Sequence, residues 1–238
     1  MLVFLLLFPL LLQAGHISIP NPSKKILVFT KTRGFYHTSI VAGTRALIKL
    51  GVEQGVVVDT SSDASMFTVK NLKQYAAVVF LSTTGDVLNE AQQQAFERYI
   101  QKGGGFVGIH AAADTEYDWP WYNRLVGAYF LSHPQQQEAS LLIRDTAHLS
   151  TRHLPAEWKR WDEWYNYKNI QPHLQVLMTL EEKSYQGGAN GSFHPIAWCH
   201  EIFGGRAFYT GLGHTDAAYT DPLFLQHVWG GISYAMKE

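Results

Sequence analysis

Short apolar runs separated by amphipathic segments dominate the first half of the chain. Helical spacing of apolar positions predicts a helix over 39–50, ended by Gly51, and another over 89–102, ended by glycines 103–105. This alternation of strands and helices, with short connections, predicts a doubly wound parallel sheet covered on both faces. The runs that read as buried strands are 25–30, 55–59, 76–81 and 106–109.

Beyond residue 114 the pattern becomes irregular and rich in Trp, Tyr and His. A closing helix is predicted over about 222–236, because apolar residues recur there at helical spacing. There is no internal repeat and no low-complexity linker, so we expect one domain over 24–238. The further strand-like runs are 139–144, 175–179, 196–200 and 207–210.

The first residues have the pattern of an export signal. Residues 2–12 are all apolar, a length too short to span a bilayer as a helix, and small residues follow at Ala14 and Gly15. We therefore expect a signal peptide over 1–14 and a short linker over 15–23. The protein would be periplasmic or extracellular, with no membrane contact after cleavage of the signal.

Composition and charge narrow the function classes. The chain is 46% hydrophobic, enough to bury a real core, which excludes a disordered protein. Nineteen Lys and Arg against 20 Asp and Glu leave no positive excess, so nucleic acid is not an expected partner. Cys199 is the only cysteine and lies in an apolar run, which predicts a buried, inert thiol.

Polar loops follow the predicted strands, and in open α/β sheets ligands bind at those strand ends. His110 directly follows a strand and is flanked by Gly108, Ala111 and Ala112, small residues typical of a nucleophile elbow. Imidazole at this position favours a general base or acid near neutral pH. The alternative is a structural histidine that is hydrogen-bonded inside the turn.

Three more histidines, His37, His133 and His214, lie in loops of small and aromatic residues. None belongs to a short metal-binding motif, so a metal site would have to be assembled from distant loops. We therefore predict no cofactor. A divalent metal held by these residues and His110 stays as an alternative.

The segment 158–167 combines aromatic and acidic residues at high density. Aromatic faces stack on sugar rings, which favours a polyhydroxylated ligand, although Trp161 and Trp164 are also compatible with a core position. Asp162 and Glu163 cannot both face a cleft from one strand, because neighbouring side chains alternate. The side chains expected to bind substrate are Tyr36, Trp119, Trp121, His133 and Trp164.

Five stretches of the sequence resemble the ThuA-like family. Together they extend over nearly everything from Lys24 to the C terminus, in order. They are VFTKTRGFYHTSI (28–40), GGFVGIHAAAD (104–114), YDWPWY (117–122), DEWYNY (162–167) and GRAFYTGLGH (205–214).

The resemblance implies a flavodoxin-like, class I glutamine amidotransferase-like three-layer α/β sandwich with a mainly parallel central sheet. It also implies a link to trehalose utilisation and to keto-sugar catabolism. Amidotransferases of that fold have Cys at the elbow, whereas this chain has His110. Amidotransferase activity is therefore not expected.

Our leading hypothesis is an exported enzyme that acts on a trehalose-like disaccharide or its 3-keto derivative. His110 would be the general base or acid, His37 and His214 its partners, and Asp114 and Glu163 orienting carboxylates. One alternative is a non-catalytic sugar-binding module. Another is a metal-assisted hydrolase or isomerase that uses His37, His110, His133 or His214. The expected partner is a small-molecule sugar, and a homo-oligomer stays open.

Overall fold

The computed structural model describes residues 24–238, and the predicted signal peptide and linker over 1–23 lie outside these residues. The strands are β1 (Lys25–Phe29), β2 (Val57–Ser61), β3 (Ala77–Leu81), β4 (Gly105–Ile109), β5 (Tyr129–Ser132), β6 (Gln137–Ile143), β7 (Glu157–Asp162), β8 (Asn166–Lys168), β9 (Gln175–Leu180), β10 (His194–Ile202) and β11 (Gly205–Thr210). The helices are α1 (Ser39–Gln54), α2 (Val69–Leu72), α3 (Glu90–Gln101), α4 (Pro120–Val126) and α5 (Pro222–Ala235).

A single large sheet organises the described part of the chain. Its nine strands follow the order β2-β1-β3-β4-β11-β10-β9-β6-β7, and β5 and β8 form a separate two-stranded ribbon. The five strands from β2 to β11 pair in parallel, whereas β10, β9, β6 and β7 continue the sheet in antiparallel pairing. The predicted α/β, flavodoxin-like fold is confirmed, and the strand-like runs 139–144, 175–179 and 196–200 correspond to β6, β9 and β10, although their antiparallel pairing was not predicted.

Burial explains why the parallel half forms where the apolar runs predict it. Every residue of β3 and β4 is buried, as expected for strands that are covered on both faces. Phe80 packs against the rings of Phe29, Phe96 and Phe106, which links three strands to α3. The core of the described residues therefore lies on both faces of the parallel strands.

Helix α1 is longer than predicted. Gly51 lies inside the helix, where a Cβ atom would come within 2.3 Å of Val58, so this glycine permits close helix–strand packing. The helix ends instead at Gly55, which has a φ of +69°. Ser39, the first residue of the helix, donates its hydroxyl to the carbonyl oxygen of Gly213 at 3.3 Å. That bond ties the start of α1 to the loop after β11.

The antiparallel half was harder to predict from sequence. In β7, Trp158 and Asp162 are buried, and the residues between them are exposed or partly exposed. The usual alternation is inverted here, since Asp162 is buried and Trp161 is exposed. The Asp162 carboxylate can be buried because it is paired with Arg160 at 3.3 Å. Among residues 24–238, no helix is long and apolar enough to cross a membrane.

The topology brings three chain segments to one edge of the sheet. Strands β1, β3, β4 and β11 run in the same direction, so the loops that leave their carboxyl ends lie side by side. These loops contain His37, His110 and His214. The chain leaving β7 brings Glu163 to the same place.

Candidate functional site

Four side chains from four separate loops converge beyond the strand ends. Each of His37, His110, Glu163 and His214 offers one nitrogen or carboxylate oxygen, and these four atoms lie within 4.8 Å of one another. His110 Nε2 is 3.0 Å from His214 Nδ1 and 3.4 Å from Glu163 Oε2. His214 Nδ1 is 3.1 Å from the same Glu163 oxygen. We call these four residues the histidine–glutamate cluster.

The backbone conformation of His110 aims its ring into the cluster. This residue has a φ of +51°, a left-handed conformation that is uncommon outside glycine, at the start of a 3-10 turn. Gly108 lets the turn close, since a Cβ there would lie 2.9 Å from the Tyr209 ring. The Tyr209 hydroxyl donates to the His110 carbonyl oxygen at 2.7 Å, which holds the turn in place.

The proton position on His110 follows from its neighbours. Nδ1 lies 2.9 Å from the carbonyl oxygen of Gly211, and a carbonyl only accepts, so Nδ1 carries the proton. The neutral ring therefore presents the lone pair of Nε2 to His214 and Glu163. A lone pair held in this position can accept a proton or bind a cation.

Glu163 is the acid that connects the cluster. Its Oε2 contacts His110 and His214, and its Oε1 lies 3.2 Å from His133 Nδ1. Burial would raise the pKa of this carboxyl, but hydrogen bonds and charge from His110 and His214 outweigh burial and lower the pKa well below its usual range. Glu163 is therefore ionised at neutral pH.

Asp162 faces away from the cleft, in contrast to its neighbour. Its carboxylate accepts hydrogen bonds from the backbone N–H groups of Glu163, Gly213 and His214 at 3.0, 3.0 and 3.1 Å. The alternation expected for adjacent strand residues is thus present, with Glu163 toward the cleft. Asp162 instead fixes the backbone of two cluster residues.

His37 completes the cluster from the β1–α1 loop. Its ring centroid lies 4.8 Å from that of His110 and 5.1 Å from that of His214. Burial, together with the nearby His110 and His214, lowers its pKa to about 3. His37 is consequently neutral at pH 7, and its Nδ1 is buried without a hydrogen-bond partner among the described residues.

Three of the four cluster residues line a cleft of about 370 Å³, and His110 is fully buried behind them. Asp114 also lines the cleft and accepts a hydrogen bond at 2.7 Å from Tyr117, not from a histidine, so an orienting role for this carboxylate is not supported by its contacts. Burial raises the pKa of Asp114 above its ordinary value. The residues lining the cleft are Phe35, His37, Asp114, Phe130, His133, Gln136, Glu163, Tyr165 and His214.

The three tryptophans expected to bind sugar do not line this cleft. Trp164 is fully buried, and its indole N–H donates to the Gln137 carbonyl oxygen at 2.9 Å. Trp119 and Trp121 stack on each other at 4.9 Å and are also buried, with the Trp119 N–H on Glu97. Core packing, the alternative given for Trp161 and Trp164, is found for Trp164 and is wrong for Trp161, which is 59% exposed.

The two other expected substrate residues differ in position. His133 lines the cleft and is 43% exposed at its side chain, whereas Tyr36 is exposed but is not among the lining residues. Sequence reasoning missed the aromatic walls of the cleft, Phe35, Phe130 and Tyr165. Phe35 and Tyr165 are adjacent in sequence to Tyr36 and Trp164, which were expected to bind substrate. Considering the neighbouring positions of the same motifs would have found them.

The donor atoms of the cluster allow two kinds of chemistry. Imidazole and carboxylate groups transfer protons to and from bound substrates. The same set, three imidazoles and one carboxylate, also matches the ligands of divalent first-row metals.

Comparison with known proteins identifies the family. The family model for ThuA, described as trehalose utilisation, matches residues 25–235. The chain belongs to the ThuA family. A search of curated proteins found no match.

Solved ThuA-like structures are similar over almost the whole chain. A ThuA-like protein from Bacteroides uniformis has a TM-score of 0.76 and 25% identity, covering 93% of this chain and 95% of its own. One from Parabacteroides merdae has a TM-score of 0.74 and 24% identity, covering 91% of both chains. A β-galactosidase from Bacillus circulans shares the fold at a TM-score of 0.59 and 11% identity, over 89% of this chain and 31% of that one.

Proposed function

We propose that this ThuA-family protein is an exported carbohydrate-processing enzyme that acts on a disaccharide of the trehalose type or on its 3-keto derivative. The observation that carries the proposal is the pair of His214 and ionised Glu163 in the cleft, both in contact with Nε2 of the buried His110 behind them. The family's description as trehalose utilisation supports the substrate class.

Proton transfer is the chemistry that we assign to the cleft. When neutral, His110 carries its proton on Nδ1, so its Nε2 can accept a proton from His214, whose ring lines the cleft and can take one from a sugar hydroxyl or from a carbon next to a ketone. Glu163, 3.4 Å from His110 Nε2, would stabilise the imidazolium that forms. Asp114 is the candidate acid, because burial raises its pKa and keeps a larger fraction protonated.

The cleft walls supply surfaces for a sugar ring. Phe35, Phe130 and Tyr165 present aromatic groups, and Phe130 and Tyr165 pack with ring centroids 4.3 Å apart. Gln136 and His133 offer polar atoms at the same cleft. Flat aromatic groups beside hydrogen-bonding groups match the apolar faces and hydroxyls of a sugar.

Export is part of the proposal and rests on the apolar run at residues 2–12. Cleavage after Ala14 would leave Gly15 as the first residue. Expression of the full chain in a bacterium, followed by N-terminal sequencing of the periplasmic protein, tests this. Recovery of protein that still begins at Met1 in the cytoplasm would contradict it.

The decisive experiment for activity is a turnover screen. The purified protein is incubated with trehalose, other disaccharides and their 3-keto forms, and the products are identified by mass spectrometry and NMR. The variant to compare is His110→Asn, because asparagine tolerates a positive φ and keeps a donor for Gly211, yet lacks the Nε2 lone pair.

We expect turnover by the wild-type protein, and a loss on the order of 100-fold or more in His110→Asn. His173→Asn removes an exposed histidine and is the matched control, with activity unchanged. Saturable sugar binding without turnover of any substrate would show that the protein is a binding module and not an enzyme. Equal turnover by wild type and His110→Asn would remove His110 from the mechanism.

A further inference from the structure

We infer that the histidine–glutamate cluster binds one divalent first-row transition-metal ion, with His37, His110, Glu163 and His214 as its protein ligands. The assignment concerns binding, and it stands whether or not the proposed sugar chemistry is correct. Its consequence for catalysis, described below, rests on the proposed function.

The distances within the cluster match those around a small metal ion. Bonds of about 2.0–2.1 Å arranged tetrahedrally place every pair of ligand atoms about 3.3 Å apart. The three contacts among His110, Glu163 and His214 measure 3.0, 3.1 and 3.4 Å. The nitrogen of His37 lies within 4.8 Å of all three atoms, so its ring would move in by up to about 1.5 Å to complete the set.

The number of available protons also favours a cation between these atoms. His110 Nε2 is a lone pair because Nδ1 donates to Gly211, and the Glu163 carboxylate only accepts. When both histidines are neutral, one proton, on His214 Nδ1, is left to serve both acceptors. A divalent ion satisfies all of the facing lone pairs at once.

Ligand type selects the class of metal. Three imidazoles suit zinc, copper, iron or nickel, whereas magnesium, calcium and manganese prefer sites made of oxygen atoms. The carboxylate is Glu163 and not Asp162, since the Asp162 oxygens are taken by backbone N–H groups and Arg160. The set therefore comprises three neutral ligands and one negative charge.

Groups around the cluster hold the proposed ligands as metal sites require. Ligating histidines usually donate their second N–H to a carbonyl or carboxylate, and His110 does so to Gly211 at 2.9 Å. Asp162 fixes the backbone of both Glu163 and His214. Two of the four ligands are thus held by one buried carboxylate before any ion binds.

An ion would reach the cluster through the cleft, and a substrate in the cleft would have access to the bound ion. His37, Glu163 and His214 line the cleft, and the His214 side chain is 17% exposed. A bound ion would polarise a carbonyl or hydroxyl oxygen of a sugar. His110 Nε2 would then be a ligand, so proton transfer would pass to Asp114 or His133.

The binding test uses protein without a polyhistidine tag, stripped of metal by a chelator. Zinc is titrated into it in competition with a chromophoric chelator of known affinity. We expect one equivalent to bind tightly, and affinity to fall on the order of 100-fold or more in Glu163→Gln and in His37→Asn. His173→Asn, which lacks only an exposed histidine, is expected to bind zinc like the wild type.

A second measurement needs no variant, so a folding defect cannot obscure it. Crystals of the wild-type protein grown with zinc are measured at the zinc absorption edge, and an anomalous peak is expected among the four side chains. A peak only elsewhere, or zinc binding that is unchanged in Glu163→Gln and His37→Asn, would overturn the assignment.

The failure of this inference can be told apart from the failure of the proposed function. Zinc bound at the cluster without turnover of any sugar contradicts the enzyme and leaves the metal site intact. Turnover by metal-free protein that binds no zinc contradicts the metal site and leaves the enzyme intact.

Discussion

The carboxylate of Asp162 holds His214 in place through its backbone: Oδ1 accepts the His214 N–H at 3.1 Å, while the neighbouring Glu163 contacts the His214 ring at 3.1 Å. The two consecutive acids thus hold His214 at different points, Asp162 at the backbone and Glu163 at the ring, because their side chains point in opposite directions at the end of β7. Arg160 balances the buried charge of Asp162 at 3.3 Å. Asp162 is therefore a positioning residue.

Replacing Asp162 by asparagine should weaken both the fold and the cluster. The amide nitrogen cannot accept a hydrogen bond, and Arg160 loses its buried partner, so we expect the free energy of unfolding to fall by about 3 kcal/mol. Zinc affinity should fall on the order of 10-fold, because the amide nitrogen that replaces Oδ2 faces the Gly213 N–H and displaces the loop that carries His214. Chemical denaturation and chelator competition measure these two effects.

Asp221→Asn is the matched control for that variant. Asp221 also lies beside Arg160, at 3.5 Å, but it caps α5 and does not contact the His214 loop. Asparagine is itself a good helix cap, so a small loss of stability and unchanged zinc affinity are expected. An equal loss of zinc affinity in both variants would show that charge near Arg160 matters, and not the Asp162 hydrogen bonds.

Local sequence patterns predicted the parallel half of the fold because each of its elements carries its own signal. β3 and β4 are short, wholly apolar runs, and α3 has a capping box between Asn89 and Gln92. β7 was not predicted as a strand, because its buried Asp162 is stabilised by contacts that are distant in sequence. Those contacts come from the backbone of the loop after β11, so no pattern within β7 itself indicates them.

Only the part of the candidate site that lies at the carboxyl ends of the parallel strands could be predicted from the sequence. Histidines that follow parallel strands converge at one edge, so His37, His110 and His214 were expected near each other. Glu163 was expected to orient these histidines, but its contacts with both His110 and His214 depend on the antiparallel half, whose pairing no local pattern predicted. Trp164 was assigned to the sugar-binding surface because aromatic residues are dense around it in the sequence. A tryptophan in a core and one in a cleft look alike in sequence.

The cleft walls predict a contrast between two neighbouring aromatic residues. Phe35 lines the cleft and Tyr36 does not, while both are more than half exposed, at 65% and 52%. Phe35→Ala should therefore weaken sugar binding by about 1 kcal/mol, roughly 5-fold in Kd or KM. Tyr36→Ala should leave both constants unchanged, and the reverse result would reassign the binding surface to Tyr36.

Trp164 should matter for stability and not for substrate affinity. Trp164→Phe removes buried area and the indole hydrogen bond to Gln137, which we expect to cost about 2 kcal/mol of unfolding free energy. KM should stay the same, because the ring does not line the cleft. A raised KM with unchanged stability would return Trp164 to the sugar-binding surface.

The buried histidine His227 should make the stability depend on pH. Burial lowers its pKa to about 3, far below its ordinary value near 6.5, and its Nδ1 donates to the Ser150 carbonyl oxygen at 2.8 Å. The charges of His153, Arg160 and His148 add to the lowering of its pKa.

Because its folded-state pKa is lowered, protonation of His227 favours the unfolded chain. Its contribution to stability is complete above about pH 6.5 and is lost as the pH falls toward about 3. His227→Gln should flatten the dependence of unfolding free energy on pH in this window by up to about 1.4 kcal/mol per pH unit, the value for one proton. His173→Gln, at an exposed ring, should leave the slope unchanged. Denaturation curves between pH 4 and 8 measure it, and parallel curves for wild type and His227→Gln would mean that His227 takes up no proton on unfolding.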